Sequence, residues 1–156
     1  MTPAARIQIS IDLLDEILQS WNSEKRIPAD KIIDRFFRAQ RFIGSKDRAY
    51  VGELIYWCLR HLAMLRFLCP AAEQMNEGRM LILAALILRK EYTLATLRDA
   101  CDGSKYAPHT ITPKEKEVLS HKPGEPPPHV RLNYPEWLEE ELAKSLKGDF
   151  EAAMAA

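Results

Sequence analysis

The chain has 156 residues, 47% of them apolar and 28% charged, which suits one globular domain with a single core and excludes an intrinsically disordered segment. Lys plus Arg and Asp plus Glu both number 22, so no net charge draws the chain as a whole to nucleic acid. Any electrostatic function has to rest on local asymmetry.

In chain order, Arg6, Asp12 and Asp15 interrupt the apolar residues of the amino end, which therefore lacks the continuous core of a secretory signal. Ile7, Ile11, Leu14, Leu18 and Trp21 recur at steps of three and four and predict a first helix, with Thr2 as its cap and Pro3 at the first helical position. A second opens at Pro28, gathers Ile32, Ile33, Phe36 and Phe37 on one side, and is expected to end near Gly44. Ser45 is placed to cap a third, long central helix whose stripe runs from Val51 through Leu54, Ile55, Cys58, Leu59 and Leu62 to Leu65, with Asp47 suiting its positive end. Asn76 can cap a fourth, apolar nearly all round through residues 82–88 and so buried on most sides. Thr93 to Ala100 reads as a short helix stopped near Gly103, and Thr112 and Glu115 form a capping box for another reaching about His121.

No stretch alternates apolar and polar residues, and no Asn-Gly or Asp-Gly turn lies between β-branched runs, so the expected class is all-α, a bundle of about six helices. Residues 122–134, rich in proline, read as a linker or strap. A further helix is predicted from Pro135, with Trp137, Leu138, Leu142 and Leu146 on one face and Gly148 as its stop; this tail carries six acids against two lysines. The organisation read from the sequence is a helical domain over 1–130 and a connector over 131–156 that begins the next module. The longest apolar run, Met80 to Leu88, falls far short of the roughly 20 residues that span a bilayer, so a cytoplasmic protein with no membrane partner is expected.

The strongest local asymmetry lies between Lys25 and Arg48, where eight basic residues face three acids. At the angular step of a helix, Lys31, Arg35 and Arg38 share one stripe with Arg41 at its edge, opposite Ile32, Ile33, Phe36 and Phe37. Such cations can neutralise phosphates and release counterions, and arginine's planar fork suits the task. A solvated face whose charges pair with acids of neighbouring helices explains the stripe equally well.

Other chemistry is sparse. Cys58, Cys69 and Cys101 form no CxxC pair and read as reduced thiols. Cys101, His109, His121 and His129 match no common zinc spacing, and His61 has no nucleophile or acid placed to work with it, so neither a metal site nor a catalytic residue is assigned. The six glycines form no phosphate-binding loop.

Residues 44–60, GSKDRAYVGELIYWCLR, resemble the signature of the NusB-like helical domain, in which an S-x-x-D-R loop leads into a helix reading E-L-[VI]-Y-G-x-L-R. Asp47, Arg48, Glu53, Leu54, Ile55, Tyr56, Leu59 and Arg60 match; Ser45 stands one residue closer to Asp47 than in that pattern, and Trp57 stands where glycine is usual. The opening residues, together with PADKIIDRFFRAQRFIGSKDR, are similar to the beginning of the Sun/Fmu family of bacterial RNA (cytosine-5) methyltransferases, and YPEWLEEELAKSLKGDFEAAMAA to its connector. The resemblance implies a full-length enzyme that uses S-adenosylmethionine to methylate a cytosine of small-subunit ribosomal RNA. It places the catalytic cysteines and the cofactor in a domain absent from this chain, which is therefore expected to be no enzyme by itself and to hold no cofactor. Its partners would be ribosomal RNA and its own catalytic domain, with Lys31, Arg35, Arg38, Arg41, Lys46 and Arg48 as the RNA contacts. A free-standing antitermination-type RNA binder and a protein-interaction module remain as alternatives, the latter expected to expose an apolar patch around Trp57 and Leu65.

Overall fold

Local chemistry starts most of the helices where the sequence places them. The structure, a computed structural model, describes residues 1–121 and 124–131. Helix α1 (Pro3–Trp21) begins at Thr2, whose hydroxyl accepts a hydrogen bond from the Ala5 amide at 3.1 Å, and α2 (Ala29–Ala39) follows Pro28. Helices α3 (Ser45–Arg60) and α4 (Leu62–Leu68) come next, then a single 3₁₀ turn at Ala72–Gln74. Asn76 caps α5 (Glu77–Leu88) by accepting from the Arg79 amide at 2.9 Å, and Thr93 caps α6 (Leu94–Ala100). In α7 (Pro113–Ser120) the capping box is complete: Glu115 N–H donates to Thr112 Oγ1 at 3.2 Å, and Thr112 N–H to Glu115 Oε1 at 2.9 Å. A last turn, α8 (Pro128–Arg131), packs on α4. The described residues contain no strand, and the fold is an all-α bundle.

Helix α5 is the centre of that bundle. Every side chain from Met80 to Leu86 is buried, and α1 packs along it most extensively, with α4, α7 and α3 also in contact. From α1 the core takes Ile7, Ile11, Leu13, Leu14, Ile17 and Leu18, from α2 Ile32, Ile33 and Phe37, and from α3 Val51, Leu54, Ile55 and Cys58. Each such aliphatic side chain stabilises the fold by about 1.5–3 kcal/mol relative to exposure. Helices α1 and α5 come close at Gly78, where a Cβ would lie 2.8 Å from Asp15 Cβ and 2.9 Å from its Cα. Only a residue without a side chain lets the two backbones meet there.

One charged residue interrupts the apolar surface of α5. Arg79, 2% exposed, donates from Nε to Glu115 Oε2 at 2.7 Å and from Nη2 to Glu115 Oε1 at 3.2 Å. The same Nη2 donates to the carbonyls of His109 at 2.9 Å and Thr110 at 3.4 Å. Glu115 thus serves its own helix cap and the guanidinium together, tying α5, α7 and the preceding loop into one unit. Burial works against its charged form, but the hydrogen bonds from Arg79 and Thr112 and the guanidinium charge outweigh that and lower its pKa.

Four expectations are revised. The apolar stripe from Val51 to Leu65 does not lie on one helix: His61 leaves helical geometry (φ −111°, ψ 22°) and separates α3 from α4. Its ring stacks on Trp57 at 4.1 Å, and its Nδ1 lies 2.8 Å from the Trp57 carbonyl. Ser45 is the first residue of α3 and not its cap; Gly44 holds the extended cap conformation, and its carbonyl accepts from the Arg48 amide at 2.9 Å. Helix α2 ends at Ala39, five residues before Gly44. The division at His61 and the extra turn in the proline-rich segment raise the count from about six helices to eight among the described residues. The helix predicted from Pro135 lies outside the described residues.

Candidate nucleic-acid interface

Helix α2 is strongly two-sided. Ile32, Ile33 and Phe37 enter the core, and Lys31, Asp34, Arg35 and Arg38 lie exposed on the other side. Arg35 Nη2 is 2.7 Å from Glu16 Oε1 of α1, and Arg38 Nη2 is 2.8 Å from Asp34 Oδ2 one turn back on α2. Both pairs are open to solvent, where such contacts contribute about 0–1 kcal/mol and a competing phosphate can displace the carboxylate. Lys31, Arg41 and Lys46 are exposed and make no ion pair among the described residues. From Arg35 to Lys46 the chain carries four cations and no acid.

Arg48 has a different position from the other five. It is half-buried, donates from Nε to the Ile43 carbonyl at 2.7 Å, and sets its guanidinium 5.6 Å from the centre of the Phe37 ring. It therefore holds the α2–α3 turn in place. Asp47, the acid nearest the stripe on α3, faces away toward α1: its carboxylate lies 3.7 Å from Arg6 Nε and 4.0 Å from the Met1 amino group.

Between these cations stands a residue that sequence reasoning missed. Phe42 is 74% exposed in the α2–α3 turn, beside Ile43, which is 2% exposed. The signal was the adjacent pair Phe42-Ile43 outside any helical period. Only one of two neighbouring apolar residues in a tight turn can face inward, and nothing in the sequence says which.

Arg89 lies 5.6 Å above the Trp57 ring and pairs with Glu53 at 3.1 Å and Glu91 at 2.9 Å. Trp57 is half-buried and Leu65 fully buried, so the apolar patch expected there is absent. All three thiols are buried. Burial pushes Cys58 up to about 12, with Arg89 offsetting part of the effect, and Cys69 up to about 11. No group of three His, Cys, Asp or Glu side chains among the described residues is arranged to hold a metal, and no helix there is long and apolar enough to cross a membrane. An open cleft of about 560 Å³ is lined by Arg98, Asp99, Cys101, Asp102 and Thr110, with no nucleophile and base paired in it. No family model, curated protein or solved structure matches the chain.

Proposed function

We propose that this helical domain binds and positions ribosomal RNA of the small subunit for a S-adenosylmethionine-dependent (cytosine-5)-methyltransferase, the catalytic domain being separate from the residues described. The observation that carries the reading is the acid-free run from Arg35 to Lys46, which presents Arg38, Arg41 and Lys46, with Lys31 one turn earlier, on the solvent side of α2 and its following turn. Paired with that is the resemblance of residues 44–60 and 134–156 to the NusB-like and connector segments of the Sun/Fmu family.

Cations on a rigid helix neutralise phosphates without discriminating between bases, so such a domain recognises RNA by shape and leaves the choice of cytosine to the catalytic part. In this reading S-adenosylmethionine is held by the catalytic domain. Gly44 and Gly52 belong to the start and middle of α3, Gly78 is packed against Asp15, and Gly103 and Gly124 lie in separate loops, so no two share a cradle. In this reading the domain contributes binding and orientation alone.

The test is the affinity of the chain for a small-subunit ribosomal RNA fragment, titrated across salt. Four phosphate contacts give a slope of log K against log salt of about 3, each contributing 0.7–0.9. Replacing Lys31, Arg38, Arg41 and Lys46 together by glutamate is expected to abolish most of that slope; an unchanged slope and affinity would rule the interface out. Arg35 and Arg48 are left intact because Arg35 already pairs with Glu16 of α1 and Arg48 holds the α2–α3 turn.

A further inference from the structure

Phe42 is held out to solvent by a turn that is itself fixed. The Ile43 amide donates to the Gln40 carbonyl at 3.1 Å, the Gln40 amide to Phe36 at 3.1 Å, and Arg48 grips the Ile43 carbonyl from the far side. Ile43 anchors the turn in the core. A phenyl ring in that position has no polar atom to be satisfied by water and no aromatic or cationic partner among the described residues. Arg41 precedes it directly and Lys46 follows four residues later, both exposed and without ion pairs among the described residues.

A protein-docking hot spot would need an apolar surround. The other exposed large apolar side chains, Met1, Tyr56, Leu88 and Tyr106, belong to the amino terminus, α3, α5 and the 101–111 loop, and none shares this turn. A single aromatic ring set among cations matches instead the two faces of an unpaired nucleotide, a flat base and a charged phosphate. Tyr106, 72% exposed, makes a useful contrast: the Lys105 ammonium already lies 5.1 Å from its ring centre.

We propose, building on the RNA reading above, that Phe42 is a stacking platform for an unpaired RNA base, with Arg41 and Lys46 contacting its phosphates. The domain then prefers single-stranded loops or bulges over uniform duplex. Base stacking on an aromatic side chain accounts for about 1–3 kcal/mol per base. F42A should accordingly weaken binding of a single-stranded RNA 12-mer by about 5- to 150-fold, leave the salt slope as it was, and leave affinity for the duplex of the same sequence unchanged. F42W should restore single-strand binding. Because the side chain is exposed, F42A keeps its fold, checked by an unchanged thermal midpoint.

The two readings fail separately. If the charge-reversed chain loses RNA affinity while F42A binds single strands as well as the unaltered chain, the stacking platform is wrong and the phosphate interface stands. An equal loss on duplex and single strand also overturns stacking. Failure of the unaltered chain to bind either RNA at low salt overturns both.

Discussion

The α1–α5 crossing predicts opposite outcomes for the same substitution at two glycines. In Gly78→Ala the new methyl would sit 2.8–2.9 Å from the Cβ, Cα and N of Asp15. Two of those atoms are backbone, so no rotamer change relieves the overlap, and α1 must move by roughly half an ångström or more to restore ordinary contact at 3.4–4 Å. A radial gap of that size forfeits about a quarter or more of the dispersion well of each contact along the seam. Overpacking of this kind costs about 1–3 kcal/mol. Alanine returns up to about 1 kcal/mol in helix propensity, less in the first turn of α5 where residue 78 lies. The net is a destabilisation of about 1–2 kcal/mol, which for a chain of this length lowers the thermal midpoint by about 2–8 °C. Gly52, in the interior of α3, has nothing within 4 Å of its would-be Cβ, so Gly52→Ala should stabilise by about 0.5–1 kcal/mol. Thermal unfolding followed by circular dichroism reads both. If Gly78→Ala matches or exceeds the unaltered chain while Gly52→Ala rises, the close approach does not constrain the helices and the reasoning fails.

Removing one partner of the buried ion pair, by Arg79→Ala, should destabilise the fold by about 3–5 kcal/mol, measured by urea unfolding, because Glu115 is left charged and enclosed. Since the Glu115 pKa is lowered in the fold, its contribution is fully present above the ordinary glutamate pKa and is lost as pH falls through the lowered value. In Glu115→Gln the decline of the urea midpoint on acidification should be shallower than in the unaltered chain; an identical decline would show that the pair is not coupled to pH. The buried thiols, with Cys58 and Cys69 raised to about 12 and 11, should react with a disulfide reagent at neutral pH only after unfolding. Rapid labelling of any one in the native chain would contradict its burial.

What the sequence made legible was governed by neighbours. Thr2, Asn76 and the Thr112–Glu115 box each act within three residues, so their geometry is decided by residues in plain view. Periodicity located the core faces of α1 and α2 for the same reason, and an unbroken apolar run located the burial of α5. It could not locate the break at His61, because Leu62 and Leu65 continue the apolar rhythm beyond it while the backbone departs from the helix. Nor could it pair Arg79 with Glu115, 36 residues apart, or Arg35 with Glu16, 19 apart; both depend on which helices become neighbours. Of the interface, the cationic stripe was visible from helical angles alone. The inward turn of Arg48 and the outward turn of Phe42 were not, since both follow from how a short turn joins two packed helices.

The neutrality of the chain does not argue against an RNA surface once its acids are placed. Asp47, at the start of α3, is taken up by Arg6 and the amino terminus on the α1 side, while Glu77 pairs with Arg66, Glu115 with Arg79, and Glu53 and Glu91 with Arg89, away from the α2–α3 turn. Along the stripe the acids in ion pairs are Glu16 and Asp34, each in an exposed pair that a phosphate can replace at a cost of about 1 kcal/mol or less. A surface of this kind stays positive over about one Debye length at physiological salt, near 8 Å, and loses its pull as salt rises. The salt slope is therefore the property that separates a phosphate-binding stripe from a merely solvated one. A solvated stripe with intact ion pairs would give a flat titration, and the same four substitutions would then leave RNA affinity untouched.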